Sequence, residues 1–368
     1  MLATMPRRAR ISPPGPRPGI VGGVKHDLVR AHGADPISYS TLQPGLSYFE
    51  TSFGYVPYQR AFGFDLTLGP PVCAAGDRAE LVQRFLRTGR RPLFFYVQRD
   101  VAMLAAGLGG PRYRVSGMGM DKVLALDAPE SARAAKVDAA LRKAARGGFE
   151  VREVQPSALG DEARARVEAI TRAYLRRSSV PVEMRFLNRP LTLDGDGLAR
   201  MFLLRQGADA RVFGYAVLDP YFHEGRVQGY LLNLIRFEPT RLWGVYYAAV
   251  ATLASRLRVE GVSQLSLGFC PLYGVDTGGC SPGLARQVQW LERRLAGVDY
   301  LARLREMKDA FPGGTPQRYF VTPSPWAVTA LLSLLRACGV PLTEVLRRSL
   351  SSRARASGAA PQATTSSA

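Results

Sequence analysis

The chain has 368 residues, 46% of them hydrophobic, which suits a globular protein and, at this length, two domains. Forty-nine Lys plus Arg against thirty Asp plus Glu leave a net charge of +19, an excess that favours polyanionic partners such as nucleic acid or an anionic membrane face. Four scattered cysteines without a C-x-x-C pair read as reduced thiols in a cytosolic protein, and with only three histidines the composition argues against a disulfide framework, a zinc site or a His-rich metal centre.

Residues 1–21 are basic and rich in Pro and Gly but lack the apolar core of a secretory signal, so they read as a disordered arm. A first domain is expected over 22–157. Up to about Ala128 it alternates short strand signals with turns, in "LSYFETSFGYVPYQRAFGFDLTLGPPV", "PLFFYVQ" and "KVLALD", with one helix over 77–88. An Ala- and Arg-rich helix over 131–148 ends at a Gly pair and precedes the strand "FEVREV".

The second domain, 158–325, opens on a long helix over 158–178. The strands "ARMFLLRQ", "ARVFGYAVLDPYF" and "GRVQGYLLNLIRF" follow, and then a helix whose apolar face carries Leu242, Tyr246, Ala249, Val250, Leu253 and Leu257. "SQLSLGF" is a further strand, "GLARQVQWLERRLAG" and "YLARLREMKDAF" are helical, and "QRYFVTP" closes the domain. The segment 326–350 is an amphipathic helix with Arg347 and Arg348 behind an apolar run, fitted either to an anionic membrane surface or to the second domain. No stretch reaches the roughly 18 apolar residues of a spanning helix, and the Ser/Ala-rich tail 351–368 is expected to be disordered.

"RVSGMG" (114–119) matches the R-x-x-G-x-G loop that holds CoA in acetyltransferases of the GNAT superfamily. A strand rather than a helix follows it, so it reads as a glycine turn between strands. The aromatic run 48–64, with Arg60 near its middle, reads as half-buried strands ahead of a base-stacking surface.

"GYLLNLIRFEP" (229–239) places Asn233 and Arg236 inside an apolar strand. Residues three apart in a regular strand face opposite sides. Either Arg236 reaches out from the far face, or a bulge near Leu234–Ile235 turns both polar side chains to one side. Thr240 is a candidate helix N-cap. Arg236, Arg241 and the helix start then form a candidate anion site, unless Arg236 pairs with Glu224 or Glu238.

"NLIRFEP", "LSLGFCPLYGV" and "REMKDAFPGGTPQRYFV" fall in the order of the D-L-M-R, L-G-x-A-P-L-x-G, K-E-K-F and P-R-Y motifs of the catalytic domain of bacterial phosphatidylglycerol lysyltransferases and alanyl-phosphatidylglycerol synthases. "VRAHG", the strands ending "LGPPV" and "ALRKAARGGFEVREV" extend this resemblance over roughly 25–325. It implies an α/β (α+β) fold of two tandem GNAT-like domains with mixed, mainly antiparallel sheets. It also implies an aminoacyltransferase that moves an amino acid from aminoacyl-tRNA to the hydroxyl of phosphatidylglycerol or a related lipid, with no cofactor and no metal. The chain resembles members without the transmembrane part, placed in the cytoplasm or peripherally on the inner membrane face. Other readings are an acyltransferase with a different donor or acceptor, and a non-catalytic tRNA- or membrane-binding relative.

By position, Arg236 matches the motif arginine, Lys308 the first lysine of K-E-K-F and Arg318 the P-R-Y arginine. Asn233 stands where the family has Asp, Asp309 where it has Glu and Ala310 where it has Lys. The resemblance and the candidate anion site together point to Arg236, Lys308, Asn233 and Asp309 as catalytic, and to Arg241, Thr240, Arg318, Glu306 and Tyr273 as substrate-binding. His223 reads as a loop residue. Arg305 and Asp309, four apart, are expected to form a surface ion pair.

Overall fold

The computed structural model describes residues 22–128, 134–178, 182–193, 197–207, 210–240, 242–295 and 299–341. Helix α1 (Gly22–His32) leads through a 3-10 turn into β1 (Ser47–Thr51), β2 (Gly54–Ala61), β3 (Phe64–Thr67) and β4 (Val72–Cys73). Then come α2 (Arg78–Thr88), β5 (Phe94–Val97), α3 (Arg99–Gly109), β6 (Arg114–Ala125), α4 (Ala135–Arg146), β7 (Glu150–Val154) and α5 (Asp161–Arg177). The chain continues as β8 (Arg200–Gln206), β9 (Arg211–His223), β10 (Arg226–Phe237), α6 (Val245–Val259) and β11 (Gln264–Pro271). It closes with α7 (Pro282–Leu295), α8 (Asp299–Asp309), β12 (Gln317–Thr322) and α9 (Ala327–Ala337).

Strands β1 to β4 form a small antiparallel sheet, and the other eight form one large sheet in the order β5-β12-β6-β11-β10-β9-β8-β7. Every ladder of the large sheet is antiparallel except β10 with β11. This is the expected mixed α/β architecture with a mainly antiparallel sheet.

The sheet has no break at the expected boundary near 157. Strand β7 pairs with β8 at the far edge, α4 packs against α6, and β12 returns from the C-terminal half to lie between β5 and β6. Each half thus completes its sheet with elements from the other end of the sequence.

Alternation accounts for the strands. On β10, Tyr230, Leu232, Ile235 and Phe237 join the core under α4 and α6, while Leu231 and Leu234 face the opposite side. Two helices were not anticipated, α1 and α3. The second buries Val101, Ala102 and Ala105 against α2 and β12. Helix α6 starts at Val245 behind Gly244, later than the Thr240 cap implies. Gly244 has φ +81°, and a Cβ there would lie 2.6 Å from that of Ala140 on α4, so the close helix contact and the turn both require glycine. The "RVSGMG" glycines lie inside continuous β6, not in a turn. The aromatic run forms β1 to β3, as read.

Of the C-terminal segment, α9 is seen. It turns Ala327, Ala330, Ser333 and Ala337 inward and contacts β2, β3 and α7. The 1–21 arm, residues 342–350 and the 351–368 tail lie outside the described residues. Among the described residues no helix is long and apolar enough to cross a membrane.

A buried ion cluster ties the N-terminal segment to the large sheet. Arg318 on β12 is 1% exposed and donates to Asp121 on β6 at 2.6 and 2.8 Å and to Asp35 ahead of the first 3-10 turn. Tyr96 donates to the other Asp121 oxygen at 2.6 Å, its ring lying 4.5 Å from the guanidinium carbon, and Gln98 donates to Asp35 at 3.1 Å. Arg318 is therefore a structural cation, not the substrate-binding residue expected from its motif position. Removing it strands two buried carboxylates, so Arg318→Met is expected to lower unfolding stability by about 3–5 kcal/mol, measured by urea titration.

Candidate functional site

Strands β10 and β11 pair in parallel only over Gly229–Leu231 and Gln264–Ser266, then separate. Both are irregular where they part. β10 has an extra residue at Asn233, between the Leu232–Leu218 and Leu234–Val217 pairs. β11 shifts register against β6 between Ser266 and Gly268, with Gly268 at φ +77°.

The bulge decides where the polar residues of β10 go. It sits at Asn233, slightly ahead of the expected place, and turns Asn233 and Arg236 toward one segment, residues 182–193. The Asn233 side chain accepts the Arg189 backbone N–H at 3.0 Å and donates to the Arg189 carbonyl at 2.8 Å. Arg236 donates to both Glu183 carboxylate oxygens at 2.6 Å and to the Tyr215 hydroxyl at 3.3 Å. The Tyr174 ring lies 5.8 Å from its guanidinium carbon. Burial alone would lower the Arg236 pKa, but Glu183 and Tyr215 together outweigh it and raise the pKa.

These contacts correct the expected anion site. The partner of Arg236 is Glu183, a residue of the irregular segment. Glu238 instead holds Arg166 and Arg211. Thr240 accepts the Leu242 N–H at 3.1 Å and donates to Gln206 at 3.1 Å, and does not cap α6. Arg241 lies outside the described residues. Asn233 is a clamp on main chain, a role that uses its N–H donor and that a carboxylate could not fill.

Lys308 enters the opening from α8. It is 5% exposed, and its Nζ donates to the Phe269 carbonyl at 2.8 Å. The neighbouring Cys270 carbonyl faces β6. Successive carbonyls of a strand point opposite ways, so that of Phe269 faces the gap left by β10, and Lys308 supplies its missing partner. No carboxylate salt-bridges this ammonium among the described residues. Burial pushes its pKa below the ordinary lysine value, against upward pulls from Cys270 and Asp121. Burial, with Tyr174, Cys338 and Cys270 nearby, raises the Tyr300 hydroxyl to about 12, and burial also raises Tyr246 beside Cys270.

The other expected residues lie apart. Asp309 is exposed and accepts the Tyr273 hydroxyl at 2.7 Å, while Arg305 sits 4.1 Å over the Tyr273 ring in place of the expected pair with Asp309. Glu306 accepts Lys136 at 3.3 Å in a surface ion pair. His223 is exposed at the end of β9. The structure thus brings Asn233, Arg236 and Lys308 to the strands beyond the separation and leaves Asp309 with Tyr273 beside it. Glu183, Tyr174 and Tyr215 were missed. Glu183 lies in a segment without periodicity, and no spacing rule connects it to Arg236. Among the described residues no three His, Cys, Asp or Glu side chains converge as a metal site would need.

The family described as phosphatidylglycerol lysyltransferase, C-terminal, matches residues 26–322, and the chain belongs to that family. No curated protein matches it. The L-PGS of Bacillus licheniformis superposes with a TM-score of 0.70 at 18% identity, covering 86% of this chain and 95% of that one. The C-terminal domain of a putative lysylphosphatidylglycerol synthetase from Agrobacterium fabrum gives 0.68 at 17% identity, with 86% and 96% covered. FemX gives 0.52 at 10% identity, with 82% and 96% covered. These likenesses show the fold.

Two outcomes follow from the geometry. Asn233→Ala leaves both Arg189 backbone groups without their partner and is expected to cost about 2 kcal/mol by urea titration. For Lys308, the unfolded chain binds more protons than the folded one between the lowered folded pKa and the ordinary lysine value. Its contribution to stability is therefore poorest below that window and improves as pH rises through it. The melting temperature of Lys308→Met minus that of the native chain is expected to fall as pH rises toward 10.5.

Proposed function

We propose that this family member transfers an amino acid from aminoacyl-tRNA to the hydroxyl of phosphatidylglycerol or a related lipid at the cytoplasmic membrane face, with no cofactor. The observation that carries this reading is Lys308, a buried ammonium that donates to the Phe269 carbonyl and meets no carboxylate among the described residues, where β10 and β11 separate.

An aminoacyl ester is already activated, so alignment and charge stabilisation are the main requirements. The lipid hydroxyl oxygen attacks the ester carbonyl carbon, the bond from that carbon to the tRNA ribose oxygen breaks, and the hydroxyl proton ends on the ribose oxygen. Negative charge collects meanwhile on the carbonyl oxygen, where the Lys308 ammonium can donate. Arg236 and Asn233 act as positioning residues. They fix segment 182–193 beside the opening, and Arg236 reaches a substrate anion only by exchanging its Glu183 carboxylate. The exposed Asp309, bonded to the half-buried Tyr273, suits contact with incoming substrate.

The net charge of +19 supports a polyanionic donor. An exposed stripe on α7, with Arg286, Trp290, Arg293 and Arg294, supports a membrane partner. Occupation of Arg236 by Glu183 favours a second reading, a relative that binds tRNA or membrane without transfer.

The test is a transfer assay with purified protein, a panel of charged tRNAs and phosphatidylglycerol vesicles. Aminoacyl-lipid is expected with the native chain, and Lys308→Met is expected to reduce its rate by about 10²–10³-fold while the protein stays folded. Undiminished product from that variant would remove Lys308 from the chemistry. Binding without product for every charged tRNA would favour the second reading.

A further inference from the structure

A cavity of 310 Å³ shares no residue with the strand opening and lies on the N-terminal half. Leu86, Pro92 and Pro323 give it apolar wall, Tyr113 is its buried polar member, and Arg91 and Arg112 are its exposed cations. Among the described residues neither guanidinium meets a carboxylate. Arg91 rests 4.4 Å over the Phe64 ring and Arg112 5.8 Å over that of Tyr113. Burial raises the Tyr113 hydroxyl, and Arg112 and Arg91 both pull it down, which places two positive charges about a hydroxyl that has no hydrogen-bond partner among the described residues.

The backbone around Arg91 is held for this arrangement. Arg91 has φ +48° directly before Pro92, a conformation costly for a residue with a Cβ. Asp65 pins it from both sides. Its carboxylate accepts the Arg90 N–H at 2.7 Å, its own N–H donates to the Arg90 carbonyl at 3.0 Å, and its carbonyl accepts the Leu93 N–H at 2.9 Å. Across the cavity, a Cβ on Gly109 would lie 2.4 Å from the Tyr113 ring, so glycine there lets the ring seat.

We propose that this cavity binds the phosphate of an anionic phospholipid headgroup. Two guanidiniums and a phenol supply the donors that a phosphate oxygen triad accepts, and the apolar wall takes the adjoining glycerol. A lipid source fits better than a free phosphate because exposed apolar side chains adjoin the cavity in sequence. Trp326, 60% exposed, lies three residues beyond Pro323, and Leu108, 39% exposed, precedes the Gly109 that seats Tyr113. Gln287 on α7 bonds the backbone of Pro325 and Ala327, joining the Trp326 turn to the basic stripe of α7. The site would retain the protein on a membrane and takes no part in transfer.

Co-sedimentation with phosphatidylglycerol and with phosphatidylcholine vesicles tests this directly, on the native chain, on Arg91→Gln/Arg112→Gln, and on Arg142→Gln/Arg146→Gln, which removes two exposed charges from α4. The first double variant is expected to lose about thirtyfold in affinity for phosphatidylglycerol vesicles, at roughly 1 kcal/mol per arginine, and the second to lose much less. Inorganic phosphate is expected to raise the melting temperature of the native chain and not that of Arg91→Gln/Arg112→Gln. Equal loss in both double variants would reduce the effect to surface charge and overturn the proposal. Phosphate binding with vesicle affinity unchanged by the variant would overturn the lipid source, and loss of tRNA binding alone would overturn it in favour of nucleic acid.

Discussion

Past Leu231 and Ser266 the one parallel ladder of the large sheet loses its hydrogen bonds, and the backbone groups on both facing edges must find other partners or remain unsatisfied at a cost. On the β11 edge the partner of Phe269 is the Lys308 ammonium. On the β10 side the chain inserts Asn233 as a bulge and turns its next polar residues toward segment 182–193. A buried cation, a bulge and a positive-φ glycine at one place thus share one cause, the divergence of two strands whose far ends carry no mutual ladder.

The segment facing β10 is fixed by paired contacts. Gln43 bonds both backbone groups of Phe186, Asn233 both of Arg189, and Arg236 both oxygens of Glu183. Each contact reads position at two points, so segment 182–193 is held without regular secondary structure. Arg236 illustrates how burial settles the role of a cation. A guanidinium removed from water needs a counter-charge at close range, and the folded chain supplies Glu183 before any ligand arrives. Lys308 has no such partner among the described residues, and burial depresses its pKa.

Much of the fold was legible because it depends on local periodicity. Strand alternation marked β7 to β11, and the i, i+3, i+4 pattern marked α2, α4, α5 and α6. Helix α3 was missed although Val101, Ala102 and Ala105 have helical spacing, because this short helix lies directly between the strong strand signals of β5 and β6. The start of α6 was misplaced because Thr240 has the chemistry of a cap, while the contact between Gly244 and Ala140 that fixes the true start is tertiary. The motif order led to Lys308 and Arg236, but motif position could not separate a cation at the opening from one sealed between two carboxylates, as Arg318 is.

The sequence by itself determined the element types along most of the chain, the mixed α/β class and the family, since these follow from patterning within a few residues and from motif order. Only the tertiary structure decided that β12 crosses back into the N-terminal half, that Glu183 claims Arg236, and that Arg318 rather than a substrate satisfies Asp35 and Asp121. The physical reason is range. Periodicity is written in neighbours, whereas the partner of a buried charge is whichever side chain folding brings within hydrogen-bond distance, 283 positions away in the case of Arg318 and Asp35.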